Sequence, residues 1–251
     1  MKKVIILNKK EGETPLEALK HFCNKNHEYV GVPMTYAGRL DPMASGLLLV
    51  LTGEETKNKE KYLNLEKEYE FEILFGFSTD TYDILGKLSK ALPCSMVQAE
   101  LEGKIKNEVK SFIGESIQKY PMYSSKTVKG KPLFMYARRG KEVEVPDRKI
   151  FIKKLKLRKI KKINSKKLLK DIEKRIKKVK GDFRQNEILK IWEKELSALN
   201  KKDGTFFIAS FKIKCSTGTY IRGLANSLGK KMWIPALAYS IKRTKVGKYV
   251  L

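Results

Sequence analysis

Residues 38–53 read Gly-Arg-Leu-Asp-Pro-Met-Ala-Ser-Gly-Leu-Leu-Leu-Val-Leu-Thr-Gly, and no other stretch limits the fold so strongly. The successive apolar side chains of Leu47 to Leu51 leave no polar face, so they read as a strand buried on both sides. Just before them, Asp41 suits a cap position and Pro42 presets φ for a turn or a first helical residue. A lone carboxylate is thereby held at the lip of a hydrophobic core. A structural Asp-Pro helix cap and a functional carboxylate both fit these residues taken alone.

The rest of the chain narrows the choice. With 251 residues, 41% hydrophobic content, 11 Phe and 11 Tyr, there is material for one large domain or two small ones with a real core. The net charge of +26 repels itself unless an anionic partner is near, and nucleic acid is the usual one. A generally lysine-rich surface is the plainer alternative. Cys23, Cys94 and Cys215 are scattered and His21 and His27 lack acidic or thiol neighbours at ligand spacing, so no zinc site or histidine acid is expected. The apolar run Val4 to Leu7 is too short for a signal peptide, and nothing approaches a membrane span. A soluble, cytoplasmic, monomeric protein is expected.

Val4 to Leu7 reads as a first strand, and Thr14-Pro15 opens a helix through Leu16, Leu19, Phe22 and Cys23. Thr56 to Leu65 looks helical. From Glu68 to Phe77, Tyr69, Phe71, Ile73 and Phe75 share one face of a strand and Glu68, Glu70 and Glu72 the other. Ser78 to Thr81 ends it in a polar turn, and Gln98 to Phe112 reads as a helix with Leu101, Ile105, Val109 and Phe112 on one side.

Residues 120–140 interleave aromatic and basic side chains among two prolines and two glycines. Rings can stack on bases while Lys and Arg meet phosphates, which is the means of holding unpaired RNA. An ordinary loop followed by a helix packing Leu133, Tyr136 and Ala137 fits as well. Residues 153–202 hold 20 Lys or Arg against 6 Asp or Glu, more than half of the whole excess of positive charge. Ser165 can cap a helix carrying Leu168, Leu169, Ile172, Ile176 and Val179 and stopping at Gly181. Ile188, Leu189, Trp192, Leu196 and Leu199 repeat the helical spacing. A basic helical hairpin is therefore expected between strands at about Lys149 to Leu157 and Thr205 to Cys215. From Cys215 a strand enters a polar, glycine-containing turn and then a helix from about Tyr220 to Leu228. Arg222 falls in the first turn of that helix, where the dipole disfavours a cation, which argues for a buried carboxylate partner.

Three separated segments, Gly38-Arg-Leu-Asp-Pro-Met-Ala-Ser-Gly-Leu-Leu, Pro121-Met-Tyr-Ser-Ser-Lys through Tyr136-Ala-Arg-Arg-Gly140, and Cys215-Ser-Thr-Gly-Thr-Tyr-Ile-Arg222, together resemble the TruB family of bacterial tRNA pseudouridine synthases. Leu7-Asn-Lys-Lys-Glu-Gly12, Lys67-Glu-Tyr-Glu-Phe71 and Thr79-Asp80-Thr81 match as well, so the likeness covers nearly all of the chain outside the basic insertion. It implies an α+β pseudouridine synthase fold, a mixed and mainly antiparallel sheet with flanking helices, into which the basic hairpin at 158–204 is inserted.

The resemblance implies an isomerase that converts the T-loop uridine of tRNA, position 55, to pseudouridine, with no metal and no organic cofactor. Asp41 would be the catalytic aspartate, Arg222 its partner, and Tyr69 the ring stacked on the flipped uracil near C5. Tyr220 and Ile241 would line the uridine pocket. Lys9, Arg39, Met122, Tyr123, Lys126, Lys131 and Arg138 would contact the substrate, the last five from a loop at 120–140 that folds over bound RNA. Two departures stand out. The family histidine before the aspartate motif is Tyr36, which retains a ring and a hydrogen-bonding group, and the family Lys-Pro near the start is Lys9-Lys10. One catalytic domain over 1–251 is expected, without the C-terminal PUA-type domain of many relatives, and with the basic hairpin gripping tRNA phosphates instead. A synthase acting on ribosomal RNA and a non-catalytic RNA-binding or tRNA-folding module remain alternatives.

Overall fold

In the computed structural model, which describes residues 1–92, 96–200 and 205–251, the apolar run after Asp41 lies inside a nine-stranded sheet. Cys94 and residues 201–204, where the expected basic hairpin would end, lie outside the described residues. The first part of the chain gives β1 (Val4–Lys9), α1 (Pro15–Lys25), β2 (Met34–Ala37) and β3 (Ala44–Thr52). Thr14 caps α1 with a reciprocal Thr14–Glu17 capping box, as the Thr-Pro start suggests. A 3-10 stretch, Gly53–Asn58, and the short α2 (Lys59–Leu63) stand where one helix over 56–65 was expected.

Next come β4 (Lys67–Phe75), β5 (Phe77–Thr79), β6 (Leu88–Ala91), α3 (Gln98–Lys110) and β7 (Gly114–Lys119). The expected strand from Glu68 to Phe77 is split because Gly76 takes φ +103°, which turns β5 into a separate two-stranded sheet with β6. The small hairpin β8 (Thr127–Val128) and β9 (Lys131–Pro132) leads into α4 (Leu133–Arg138). Then follow β10 (Asp147–Asn164), α5 (Ser165–Ile176), α6 (Gln185–Asn200), β11 (Thr205–Cys215), α7 (Ile221–Met232), β12 (Ala236–Val246) and β13 (Tyr249–Val250).

The large sheet runs β1-β3-β12-β4-β11-β10-β7, with β2 beside β3 and β13 beside β12. Every pairing is antiparallel except β12 with β3. That parallel contact is close: Gly46 has φ +103°, and a Cβ there would lie 2.3 Å from the Arg243 carbonyl oxygen, so glycine is required. Both faces of β3 are buried, with Leu47, Leu49 and Leu51 against Val246 and Val50 against Ile5 and Tyr29.

One face of the central sheet carries Tyr69, Phe71, Ile73, Phe75, Phe211 and Ile213 under α3 and α7. The other carries Leu74, Phe206, Ile208 and Leu237 under α5 and α6. The basic hairpin is thus a covering layer of the sheet, and Trp192, fully buried, packs 5.2 Å from the Phe77 ring centroid.

Strand β10 continues seven residues past the expected end at Leu157. Bulges between Ile152 and Lys154 and between Leu157 and Lys159 shift the alternation of its apolar residues, so a period of two fails along the sequence while the pairing with β11 persists to Asn164. Strand continuation also moves the helix start: Asn164, not Ser165, caps α5, its Oδ1 accepting from the Lys167 N–H at 2.9 Å.

Candidate active site

Asp41 lies in the connection between β2 and β3, and no helix begins there. The Ala44 N–H donates to the Asp41 carbonyl oxygen at 3.0 Å, so Asp41-Pro42-Met43-Ala44 is a turn and the helix-cap reading falls. Pro42 offers no N–H to such a turn and fixes its second residue, while Ala44 already belongs to β3.

Three buried groups hold this turn from within. The Arg243 guanidinium donates to the carbonyl oxygens of Leu47 at 2.7 Å and Gly38 at 3.0 Å, joining the two chain segments that flank Asp41. Lys9 is wholly buried, and its Nζ donates to the carbonyl oxygens of Lys10 and Glu13 and, at 3.5 Å, to that of Pro42. The Gly12 N–H donates to the same Pro42 oxygen at 2.8 Å. Burial lowers the Lys9 pKa to about 8, against the raising pull of Glu13 and Asp41.

Arg222 enters from the opposite side, in the first turn of α7, with only 3% of its side chain exposed. Its Nε donates to Asp41 Oδ2 at 2.7 Å and its Nη2 to Oδ1 at 3.1 Å, a two-point fork. Two further N–H groups donate to the Thr81 carbonyl (Nη1, 2.6 Å) and the Tyr123 carbonyl (Nη2, 3.1 Å). Burial opposes the guanidinium charge, but Asp41 and Asp83 outweigh it and raise its pKa. The Asp41 side chain keeps 39% of its surface open. A carboxylate is therefore open to a ligand while its counter-charge stays dry.

Tyr69 and Ile241 pack with Leu40 and Ala44 beside this pair. Burial pushes the Tyr69 phenol above its ordinary pKa, with Arg243 pulling the other way, so the ring stays neutral. Tyr220 sits at the cap of α7, bonded through its backbone to the Gln118 side chain at 2.8 and 3.0 Å, its ring edge-on to Tyr120. Burial and the nearby Asp41 raise its pKa.

Other expected residues are placed differently from one another. Tyr36 packs in the cluster of Ile5, Tyr29 and Val50, under the Lys59 ammonium. Arg39 donates to Ser125 Oγ at 2.7 Å, tying the aspartate segment to the 120–140 segment. Lys126 lies 5.4 Å from the Tyr120 ring centroid, Lys131 is exposed, and Arg138 Nη2 donates to the Asp182 carbonyl at 2.7 Å. Met122 and Tyr123 line, with Asp80, Lys129 and Ala137, an open cavity of about 930 Å³.

Asp83, Arg243 and Lys67 were not among the expected site residues. Asp83 Oδ2 lies 3.6 Å from Arg222 Nε, and burial raises its pKa to about 6 against the pull of Arg222 and of the Thr81 hydroxyl bond. Lys67, also lowered to about 8 by burial, gives its ammonium to the carbonyls of Leu63 and Leu65. Arg243 lies two residues from Ile241 on the same side of β12, so strand alternation marks it as an inward arginine; Asp83, in an irregular turn, carries no such mark. Among the described residues no group of three or more His, Cys, Asp or Glu side chains could hold a metal ion.

Residues 30–183 match the family described as TruB family pseudouridylate synthase (N terminal domain). The chain is 34% identical over 214 residues to the tRNA pseudouridine synthase B of Caldanaerobacter subterraneus subsp. tengcongensis, covering 85% of this chain and 59% of that protein. It is 30% identical over 250 residues to the enzyme of the same name from Borreliella afzelii, covering 98% and 70%. Against the first two relatives compared, the second from Clostridium tetani, the matched stretch spans just under three-fifths of their length (59% and 58%). A Cbf5-Nop10-Gar1 complex contains a chain with a TM-score of 0.57 at 18% identity, over 98% of this chain and 49% of that one, which is a likeness of fold. No helix among the described residues is long and apolar enough to cross a membrane. By its sequence, this chain belongs to the TruB family of pseudouridylate synthases.

Proposed function

We propose that the protein converts the T-loop uridine of tRNA, position 55, to pseudouridine, with Asp41 as the catalytic carboxylate. The observation that carries this reading is the fork from the dry Arg222 guanidinium to an Asp41 whose side chain is still 39% open. Isomerisation breaks the N1–C1′ bond, turns the uracil, forms C5–C1′ and loses the C5 proton as N1 gains one. Whether a carboxylate attacks C1′ or removes a sugar proton, it acts as an anion, and the Arg222 guanidinium is the counter-charge paired with it.

Tyr69 is the ring for the flipped uracil, beside Ile241, and Tyr220 closes the other side. Extrusion of the base costs a few kcal/mol, offset by stacking and phosphate contacts. Residues 120–140 supply exposed Lys126, Lys131 and Arg138 with Met122 and Tyr123, a composition suited to folding over a loop of RNA. Lys9 and Arg243 act on the turn and not on the RNA, because both are buried on carbonyl oxygens. The lysines of β10 and the inserted hairpin face solvent and suit phosphates, which fits a protein of net charge +26.

The test is to incubate the protein with an unmodified T-loop stem-loop transcript, and separately with ribosomal RNA fragments, and to detect pseudouridine by carbodiimide-dependent primer-extension stops. A single stop at the T-loop uridine is expected. Stops on ribosomal RNA alone would change the substrate, and none on either would end the catalytic reading.

A further inference from the structure

The turn between α5 and α6 reaches the back of the active-site pair. Arg184, just before α6, has φ +64°, a left-handed conformation that is strained for a non-glycine residue and persists only where its surroundings fix it. Its Nη1 donates to Asp80 Oδ2 and to the Tyr123 hydroxyl, both at 2.8 Å, and its guanidinium lies 4.5 Å from the Tyr123 ring centroid. A single side chain therefore joins two segments that are 43 positions apart in the chain.

Those two segments are the ones that grip Arg222. Asp80 precedes Thr81, whose carbonyl accepts from Arg222 Nη1 at 2.6 Å, and the Tyr123 carbonyl accepts from Arg222 Nη2 at 3.1 Å. Asp80 is fixed further by the Lys87 N–H, which donates to its Oδ1 at 2.8 Å. Arg138, at the end of α4, is held by the Asp182 carbonyl of the same interhelical turn. An exposed ion pair contributes little, but Arg184 is only 21% exposed and stacked on a ring, so its geometry is defined.

We propose that Arg184 is a positioning residue for catalysis: it sets the Thr81 and Tyr123 carbonyls, these orient the Arg222 guanidinium, and Arg222 aims the Asp41 carboxylate. The inserted hairpin is on this account part of the active-site support and not only a surface for RNA. The inference rests on the catalytic reading of Asp41. A displacement of about 1 Å at a reacting group costs on the order of a hundredfold in rate, so loss of this support is read in the chemical step.

The experiment compares wild type, Arg184→Ala, Arg184→Lys and Tyr123→Phe on the T-loop stem-loop. Three quantities are measured: single-turnover pseudouridine formation, RNA affinity, and water exchange of the Arg222 Nε–H by NMR in arginine-labelled protein. For Arg184→Ala the rate should fall about ten- to a hundredfold with affinity within about threefold, and the Arg222 Nε–H should exchange faster. Arg184→Lys should restore part of the rate and Tyr123→Phe, which keeps the ring, should lose less than Arg184→Ala. Loss of affinity at an unchanged rate would make Arg184 an RNA contact and overturn the proposal. An unchanged rate with an unchanged Arg222 signal would overturn it too. Wild type that makes no pseudouridine would end the catalytic reading instead, and the Arg222 signal in Arg184→Ala would still decide whether Arg184 positions it.

Discussion

Arg175 of α5 donates to both oxygens of Glu11, Nε to Oε2 at 3.1 Å and Nη2 to Oε2 at 2.7 Å with Nε also 3.2 Å from Oε1, and Glu11 adjoins the Gly12 whose N–H holds the Pro42 carbonyl. The α5–α6 hairpin is thereby connected to the Asp41 turn through a pair in which the arginine is 7% exposed. Its Nη2 also donates to the Tyr239 carbonyl, and Asp171 lies on the same guanidinium.

Arg175→Ala should destabilise the fold by about 1–3 kcal/mol, because the partly buried Glu11 keeps only the half-exposed Lys178, 3.5 Å away, as counter-charge and the Tyr239 carbonyl loses its donor. Arg175→Met with Glu11→Gln should recover much of that loss, since the only charges left without this pair, Asp171 and Lys178, are 40% and 47% exposed. Urea unfolding of the two variants and the wild type measures both. Equal losses in the single and double variants would show that the pair itself, and not the stranded charge, carries the energy.

Asp41→Asn removes the anion but keeps the shape of the turn. Pseudouridine formation should fall below detection while RNA affinity stays within about threefold, since the missing interaction belongs to the transition state. Arg222→Lys keeps a charge but loses the fork to Asp41 and both carbonyl contacts, and a loss of about a hundredfold in rate is expected. Retained turnover in Asp41→Asn, measured on the same stem-loop, would remove the carboxylate from the chemistry.

Lys9 and Lys67 should make stability rise with pH between about 8 and 10.5, opposed above 9 by the Cys215 thiol, which burial raises to about 11. Lys9 and Lys67 have folded pKa values of about 8 against 10.5 for the free side chain. Their lowered values mean that the unfolded chain binds more protons across this window, so unfolding free energy increases as pH increases through it. Lys9→Met removes one of the two contributions, roughly 1–3 kcal/mol over the window, and should flatten the profile from denaturant melts at pH 7 to 11. The opposite sign applies to Asp83: its raised value of about 6 favours the fold at low pH, a contribution lost as pH rises from 3.8 through 6. Asp83→Asn should abolish that part of the profile.

Trp192 tests whether α6 belongs to the core or merely lies on it. Its ring is fully buried against Phe77 and its Nε1–H donates to the Ile84 carbonyl at 3.2 Å. Trp192→Ala should cost about 3–5 kcal/mol, with the whole chain unfolding in one lower transition by calorimetry. A separate early transition confined to the helices would show an independent appendage.

Much of the framework was legible from local pattern. The unbroken Leu47 to Leu51 run became a strand with both faces covered, the alternation from Tyr69 to Phe75 became one wall of the core, and the Thr14-Pro15 start became a capping box. The expected pairing of Arg222 with Asp41 is present, because an arginine in the first turn of a helix is costly without a carboxylate. The sequence pattern ends β10 too early because bulges rephase its apolar residues, and it leaves the Asp41 turn ambiguous because Asp-Pro begins turns and helices alike.

The sequence alone therefore determined the residues of short-range pattern: strand faces, helix stripes, an aspartate before a buried strand and an arginine needing an acid. Tertiary structure decided what joins them. Only folding brings Arg243 onto Gly38 and Leu47, Lys9 under Pro42, Asp83 beside Arg222, and Arg184 between Asp80 and Tyr123. Periodicity reports which way a side chain points relative to its own element, whereas these contacts depend on where distant carbonyl and carboxylate oxygens arrive once the sheet is paired and its two faces are covered.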